Sequence, residues 1–155
     1  KATSNVKTEI VHPLLHAMQV RDQGNLTEAL EILKASSDRD RAVRFLLQAD
    51  IHERMGAPDE AILALNQAMA YGIPDPAFYL SVAEQGKKLN KDDLAITALQ
   101  KASVFSGQSG DWHRTLQKKF TELRAYRDAS REQLTLRDIE KREQLAREVE
   151  KKKAN

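Results

Sequence analysis

Cysteine is absent from this 155-residue chain, which excludes disulfide bonds and thiolate metal sites. Proline and glycine are scarce, at four and six residues, and aromatic residues make up only 5% of the sequence. No apolar run reaches the roughly 18–20 residues that a membrane helix needs, so we expect no membrane span in this sequence. The remainder is rich in Ala, Leu, Glu, Lys, Arg and Gln, whose side chains lose little freedom in a helix. The sequence therefore predicts an all-α fold.

Charge is nearly balanced over the whole chain. A net charge of only +2 gives no general support for nucleic-acid binding, so we expect no nucleic-acid partner. Residues 1–126 carry 16 basic and 16 acidic side chains, whereas residues 127–155 carry nine and seven, so the excess lies at the C-terminal end. The chain begins with Lys1 rather than methionine, and we expect a fragment or a processed product. The lack of cysteine suits the cytoplasm and a bacterial envelope compartment equally.

Three stretches of the sequence repeat nearly the same pattern of small and large apolar residues. Ala61 and Ala95 are 34 positions apart, as are Leu65 and Leu99. One step earlier the spacing is 32, and it matches Ala17, Gly24, Ala29 and Leu33 with Ala49, Gly56, Ala61 and Leu65. A period of about 34 residues is typical of stacked helix-turn-helix units. Within a unit, Ala61, Leu65 and Ala68 share one helical face, where small residues allow a second helix to approach closely.

The turns between the predicted helices carry their own signals. Gly24 and Gly56 lie where the first helix of a unit is expected to end, because glycine readily takes the left-handed conformation found there. Asn90 takes the same place in the third unit, and asparagine is the next most tolerant residue. Asn25 followed by Glu28 predicts a capping box at the start of a second helix.

These positions resemble the tetratricopeptide repeat (TPR). The best-matching residues are Phe45, Ala49, His52, Gly56, Ala61, Leu65 and Ala68, followed by Tyr79, Ala83, Gly86, Asn90, Ala95, Leu99 and Ala102. The resemblance covers residues 10–106 and implies an all-α solenoid of three repeats, at about 10–37, 42–75 and 76–106. A leader segment is expected at 1–9. The alternative is an ordinary helical bundle, which would not need matched alanine and glycine positions.

The C-terminal third of the chain differs from the repeats. The sequence SGQSG at 106–110 predicts a flexible joint. Trp112, Leu116 and Phe120 then form one apolar stripe, which predicts a capping helix over 111–126 that covers the last repeat. Residues 127–155 predict a charged helical extension, interpreted either as a solvated helix or as an arm that docks on another subunit.

Catalytic and metal-binding motifs find little support in the sequence. His12 and His16 have the i, i+4 spacing of metal ligands, but Pro13 places them at a helix start and no carboxylate ligand lies beside them. His52 and His113 are isolated. Glycine-rich phosphate loops and nucleophile elbows are missing. We therefore expect neither a metal site nor a cofactor, and no enzymatic activity.

The TPR resemblance implies a concave groove lined by the first helix of each unit. The residues predicted to bind a partner there are Val11, Leu14, Met18, Val43, Leu46, Asp50, Arg54, Leu80, Glu84 and Lys87, and Arg21 also points inward in this register. The carboxylate clamp of TPR co-chaperones is excluded, since the matching places hold Leu14, Met18, Leu47, Ala77 and Ser81. Some of the aliphatic positions could instead belong to the core between helices.

The function that the sequence favours is protein–protein interaction. The chain would act as an adaptor, scaffold or assembly factor that binds a protein or peptide segment in the groove, alone or within a larger complex. Two alternatives stay open: a structural subunit of a large envelope or secretion assembly that docks through its C-terminal helix, and a chaperone similar to those of type III secretion translocators.

Overall fold

The computed structural model describes residues 12–36 and 40–155, so the predicted leader segment and Val11 lie outside the described residues. Within these two ranges the chain forms eight α-helices and no strand. The helices are α1 (Pro13–Asp22), α2 (Leu26–Lys34), α3 (Arg41–Arg54), α4 (Pro58–Tyr71), α5 (Pro76–Lys88), α6 (Asp92–Phe105), α7 (Gly110–Glu122) and α8 (Tyr126–Ala154). The predicted all-α fold class is confirmed.

The helices pack in consecutive pairs: α1 with α2, α3 with α4, α5 with α6, and α7 with α8. Gly24, Gly56 and Asn90 end the first helix of the first three pairs with φ values of +86°, +70° and +57°, as the sequence predicts. The predicted capping box is wrong. Asn25 precedes α2, but its side chain makes no capping hydrogen bond, because its backbone (ψ 66°) departs from the extended form that an N-cap adopts.

Small residues allow the paired helices to approach closely. Ala61 and Ala68 on α4 are fully buried, and so are Ala95 and Ala102 on α6. One apolar cluster extends from α3 to α8, and a second joins α1, α2 and the C-terminal half of α3. The alanine positions of the repeat therefore lie at the contacts between helices, where their small volume is needed.

The structure corrects the predicted organisation of the C-terminal region. The expected capping helix over 111–126 ends at Glu122, and the expected extension over 127–155 begins one residue earlier, at Tyr126. Its first half packs on α7 and buries Ala129, Glu132, Leu136 and Ile139. The two segments thus form a fourth helical hairpin, and only the second half of α8 is exposed throughout.

The turn of this fourth hairpin uses a residue that is not expected there. Arg124 has φ +58° and lies 34 positions after Asn90. A left-handed conformation costs a non-glycine residue about 1–2 kcal/mol. We therefore expect Arg124→Gly to raise the free energy of unfolding by about 0.5–1 kcal/mol, measured by urea denaturation. The control is Arg127→Gly in the exposed first turn of α8, which should not stabilise, and equal effects of both variants would contradict this account.

The SGQSG segment is an ordered turn rather than a flexible joint. The Ser106 hydroxyl donates to the backbone oxygen of Ala102 at 2.7 Å, and Ser106 itself is buried. Gly107 turns the chain with φ +53°. The Ser109 hydroxyl accepts the backbone N–H of Trp112 at 3.3 Å and so caps α7. Serine and glycine here supply hydrogen bonds and a turn conformation, and they fix the position of α7.

Candidate functional site: a groove between α1, α3 and α5

Six of the predicted partner-binding residues line one groove with a volume of about 280 Å³. The first helices of the first three hairpins form its walls. The residues that line it are Leu14, Met18, Arg21, Val43, Leu46, Leu47, Asp50, Arg54, Ser81 and Gln85. That these residues bind a partner stays a prediction.

Helical spacing explains why these side chains converge. Leu14, Met18 and Arg21 are spaced i, i+4, i+7 along α1 and share one face. Ser81 and Gln85 are spaced i, i+4 on α5 in the same way. Met18 is 41% exposed and Val43 on α3 is 38% exposed, whereas Leu14 is largely buried. The groove therefore has an apolar floor with two accessible apolar side chains above it, one of which is the adaptable thioether of methionine.

A network of charged side chains closes one end of the groove. Asp50 accepts a hydrogen bond from Arg21 at 2.8 Å and lies 3.2 Å from Nε of Arg54. Asp22 lies 2.9 Å from the Arg21 guanidinium and 3.9 Å from that of Arg54. The Arg21 and Asp50 side chains are only 14% and 17% exposed, so this pair is partly removed from solvent. Two positive and two negative groups balance here, and the network holds α1 against α3.

Gln85 presents an unusual polar atom in the wall of the groove. Its side-chain Nε2 donates to the backbone oxygen of Leu46 at 3.3 Å. Its Oε1 atom is buried and has no hydrogen-bond partner within the described part of the chain. Most buried polar atoms have a partner.

Three other residues of the predicted set line a neighbouring crevice, and their part in partner binding stays a prediction. Leu80, Glu84 and Lys87 face α7 and line a separate narrow crevice between α5 and α7. Glu84 lies 3.6 Å from Lys119, and Lys87 donates to Glu122 at 3.4 Å. Both side chains stay about half exposed, at 54% for Glu84 and 51% for Lys87, so they form ion pairs with α7 without being covered by it.

The ion pairs of this crevice lower the pKa of one carboxyl group, that of Glu122. Lys119, and then the hydrogen bond from Lys87, hold the pKa of Glu122 below its usual value. A lowered carboxyl pKa stabilises the folded chain above the pKa of the unfolded state, and this contribution is lost as pH falls through the folded pKa. We expect Lys119→Met to raise the pKa of Glu122, as followed by NMR titration of its carboxyl carbon. Lys118→Met is the matched control and should raise that pKa less.

The sequence also held partial signals for the lining residues missing from the predicted set. Arg21 points inward in the repeat register, and Leu47 and Ser81 occupy the places compared with the carboxylate clamp. Gln85 had no signal of its own beyond lying four residues after Ser81. Its role depends on the backbone of Leu46, which belongs to a different helix and cannot be located from a sequence pattern.

The histidines at the start of α1 have structural contacts. His12 Nδ1 accepts the backbone N–H of Leu14 at 3.3 Å, and Nε2 lies 3.3 Å from Asp40. His16 is exposed. In residues 12–36 and 40–155, no three His, Asp or Glu side chains come together in a way that could hold a metal ion. Over the same residues, none of the helices combines the length and the apolar character needed to cross a membrane.

Comparisons with known proteins identify the fold but not a family. No protein-family model matches the chain, and no curated protein sequence is significantly similar to it. The chain is similar to the crystal structure of MamA, with 18% identity, a TM-score of 0.52, and coverage of 79% of this chain and 73% of that one. It is also similar to MamA 41-end from Desulfovibrio magneticus RS-1, with 12% identity and a TM-score of 0.53. That match covers 83% of this chain and 74% of the other.

A third structure overlaps less well. PcrH from Pseudomonas aeruginosa shares 18% identity and covers 82% of this chain and 88% of its own length, with a TM-score of 0.49. The MamA likeness and the repeated helical hairpins together define an all-α, TPR-like solenoid. At identities below 20%, this likeness concerns the fold alone.

Proposed function

We propose that the chain is a protein-interaction module that binds an apolar segment of a partner protein in the groove between α1, α3 and α5. One observation supports this proposal most strongly. Six side chains of α1 and α3 that the repeat register predicts as partner-binding surround one groove, together with Ser81 and Gln85 of α5, and Met18 and Val43 remain accessible there. A groove with an apolar floor and a charged end suits a helical or extended segment with regularly spaced apolar residues.

The end of the groove sets limits on this segment. Arg21 and Arg54 are already paired with Asp50 and Asp22, so the network offers no unpaired charge for a partner carboxylate. Selectivity would come from the apolar contacts in the groove. The proposed binding mode therefore differs from the carboxylate clamp, and it does not require a free C-terminus in the partner.

A display library of random peptides tests this function. We expect selected peptides to carry apolar residues at helical or alternating spacing and to lose at least about 30-fold in affinity for the Met18→Glu/Val43→Glu variant, since truncated or blocked hot spots cost ~2 kcal/mol or more. Leu63→Glu is the matched control, because Leu63 is 60% exposed on α4 and does not line the groove. Equal binding to all three proteins, or no specific binder, would count against the groove.

A second candidate function depends on the end of α8. Residues 142–154 are exposed throughout, and they include Leu145 and Val149 at 53% and 51% exposure. This surface is compatible with the alternative of a structural subunit that docks through its C-terminal helix in a larger assembly. The narrower hypothesis of a secretion chaperone depends on the sequence resemblance alone.

The two functions are separated by a truncation that leaves the fourth hairpin intact. A chain that ends at Arg142 retains the buried residues Leu136 and Ile139, whereas one that ends at Tyr126 would remove them. If α8 is a docking arm, the shortened chain should be found in a smaller native complex than the full chain in extracts of its source cell. Its binding to the selected peptides should be unchanged. Unchanged native size would eliminate the arm.

A further inference from the structure

His113 and Glu132 form a buried polar pair at the centre of the fourth hairpin. His113 on α7 is 3% exposed and Glu132 on α8 is 4% exposed. The imidazole Nδ1 lies 2.5 Å from Glu132 Oε2, and Nε2 lies 2.8 Å from the backbone oxygen of Gly107. Ser103 on α6 donates its hydroxyl to the other carboxylate oxygen. The pair thus links α7 and α8 to α6 and to the turn that precedes α7.

The helical hairpin does not itself require this pair. At steps of 34 residues, the equivalent positions hold Phe45 and Tyr79 in place of His113, and Ala64 and Ala98 in place of Glu132. An aromatic residue beside alanine packs without the desolvation that a buried imidazole and carboxylate must overcome. The two changes occur together, one on each helix, so that each polar group has the other as its partner.

The hydrogen-bond pattern determines how many protons the docked pair holds. Gly107 offers a carbonyl oxygen, which only accepts, so Nε2 of His113 must carry a hydrogen. Nδ1 faces an oxygen of Glu132, so one further proton must lie between these two atoms, whichever of them is taken to own it. The docked pair is therefore neutral overall, and it holds one proton more than a neutral imidazole beside a free carboxylate.

Other charged groups on the surrounding helices are engaged elsewhere. Those within four residues of Ser103, His113 or Glu132 in the sequence are Lys101 on α6, Asp111 and Arg114 on α7, and Asp128 and Arg131 on α8. Asp111 pairs with Arg114 at 2.7 Å, Asp128 lies 3.9 Å from Arg131, and Lys101 lies over an aromatic ring. Apart from Ser103 and Gly107, no described residue is hydrogen-bonded or ion-paired to His113 or Glu132.

We propose that His113 and Glu132 form a proton-dependent latch that holds the α7–α8 hairpin against α6 and that loosens in alkaline solution. In an open chain a histidine loses its second proton near pH ~6.5 and a glutamate ionises near pH ~4.3. Between these two pH values, closure of the α7–α8 hairpin on α6 neither takes up nor releases a proton. Above pH ~6.5, closure of the hairpin on α6 must take up a proton. The equilibrium constant for closure therefore falls by up to about tenfold per pH unit, until the closed pair itself loses the proton.

Loss of that proton has a direct structural consequence. A ring nitrogen lone pair would then face the Glu132 carboxylate in a site that solvent barely reaches, and like-charged electron density would repel. Opening would uncover the face of α6 that includes Gln100 and Ser103, which now hydrogen-bond to Asp128 and Glu132 of α8. The latch is independent of the proposed groove, because it lies between the third and fourth hairpins and shares no residue with the groove.

Trp112 provides a local probe for this latch. It is the only tryptophan in the chain and is the residue next to His113. Urea unfolding followed by Trp112 fluorescence should give an opening constant that rises with pH above ~6.5, by at most about tenfold per pH unit. In Glu132→Gln the amide N–H can donate to Nδ1 of a neutral ring, so the opening constant should stay flat over the same range.

Two further variants make the test decisive. His113→Phe/Glu132→Ala restores the aromatic and alanine of the preceding hairpins, and it should fold and lack the pH dependence. His12→Gln removes the histidine that pairs with Asp40, and it should keep the wild-type dependence. A wild-type opening constant that is flat with pH would overturn the latch. An equal slope in Glu132→Gln, or loss of the slope in His12→Gln, would do the same.

Discussion

Replacing Leu65 with alanine is expected to lower the free energy of unfolding by about 2–5 kcal/mol, the usual cost of a cavity at a buried leucine. Leu65 is fully buried on α4, within the cluster that extends from α3 to α8. Its neighbours across the hairpin cannot close the space, because they belong to helices that are already separated by alanine-sized side chains such as Ala49 and Ala68. The measurement is urea denaturation followed by circular dichroism.

A matched control lies two residues away on the same helix. Leu63 is 60% exposed, and Leu63→Ala should change the free energy of unfolding by no more than about 0.5 kcal/mol. Both variants make the same chemical change in the same helix, so helix propensity cancels between them. Similar effects of the two would mean that α4 does not bury the face that carries Leu65, and the packing of the second hairpin described above would be wrong.

This contrast also shows why the fold could be predicted from sequence. Leu65 belongs to a set of positions, repeated at steps of 32 and 34 residues, in which small and large apolar residues occupy the same face of each unit. Packing of one hairpin on the next requires this pattern in every unit, so the repeat can be recognised from a single sequence. Gly24, Gly56 and Asn90 could be predicted because few residues accept a positive φ.

The fourth hairpin could not be recognised by the same rules. Its turn residue is Arg124, which gives no signal for a left-handed conformation, and Glu132 stands at a position that holds alanine in the units before it. A charged residue in a charged segment predicts exposure. Burial of Glu132 depends on His113, 19 positions earlier on another helix. The compensation between two polar residues is visible only in three dimensions.

The groove was predictable only in part, for a related reason. The repeat register places Leu14, Met18 and Val43 on the inner face of their helices, and this placement depends on one helix at a time. The ion pairs of Glu84 and Lys87 depend on where α7 lies, and the register of α5 contains no information about that. Residues at the edge of a solenoid unit therefore need the position of the next unit before they can be assigned to a surface.

The second large effect is expected at the charged end of the groove. Asp50→Ala should lower the free energy of unfolding by about 2–3 kcal/mol, because it leaves two guanidiniums without their shared acceptor. Arg21 would retain only Asp22, whose side chain is 61% exposed. The Arg21 side chain is only 14% exposed, so water can replace little of the ion pair that it loses with Asp50. Thermal and urea unfolding of the same variant both report this loss.

Asp22→Ala is the matched control, since it removes a carboxylate from the same network at an exposed position and should cost no more than about 1 kcal/mol. The comparison also bears on function. If Asp50 holds α1 and α3 at the spacing that forms the groove, Asp50→Ala should weaken peptide binding even at temperatures where the chain is fully folded, whereas Asp22→Ala should not. Equal binding by both variants would show that the apolar walls set this spacing without the charged network.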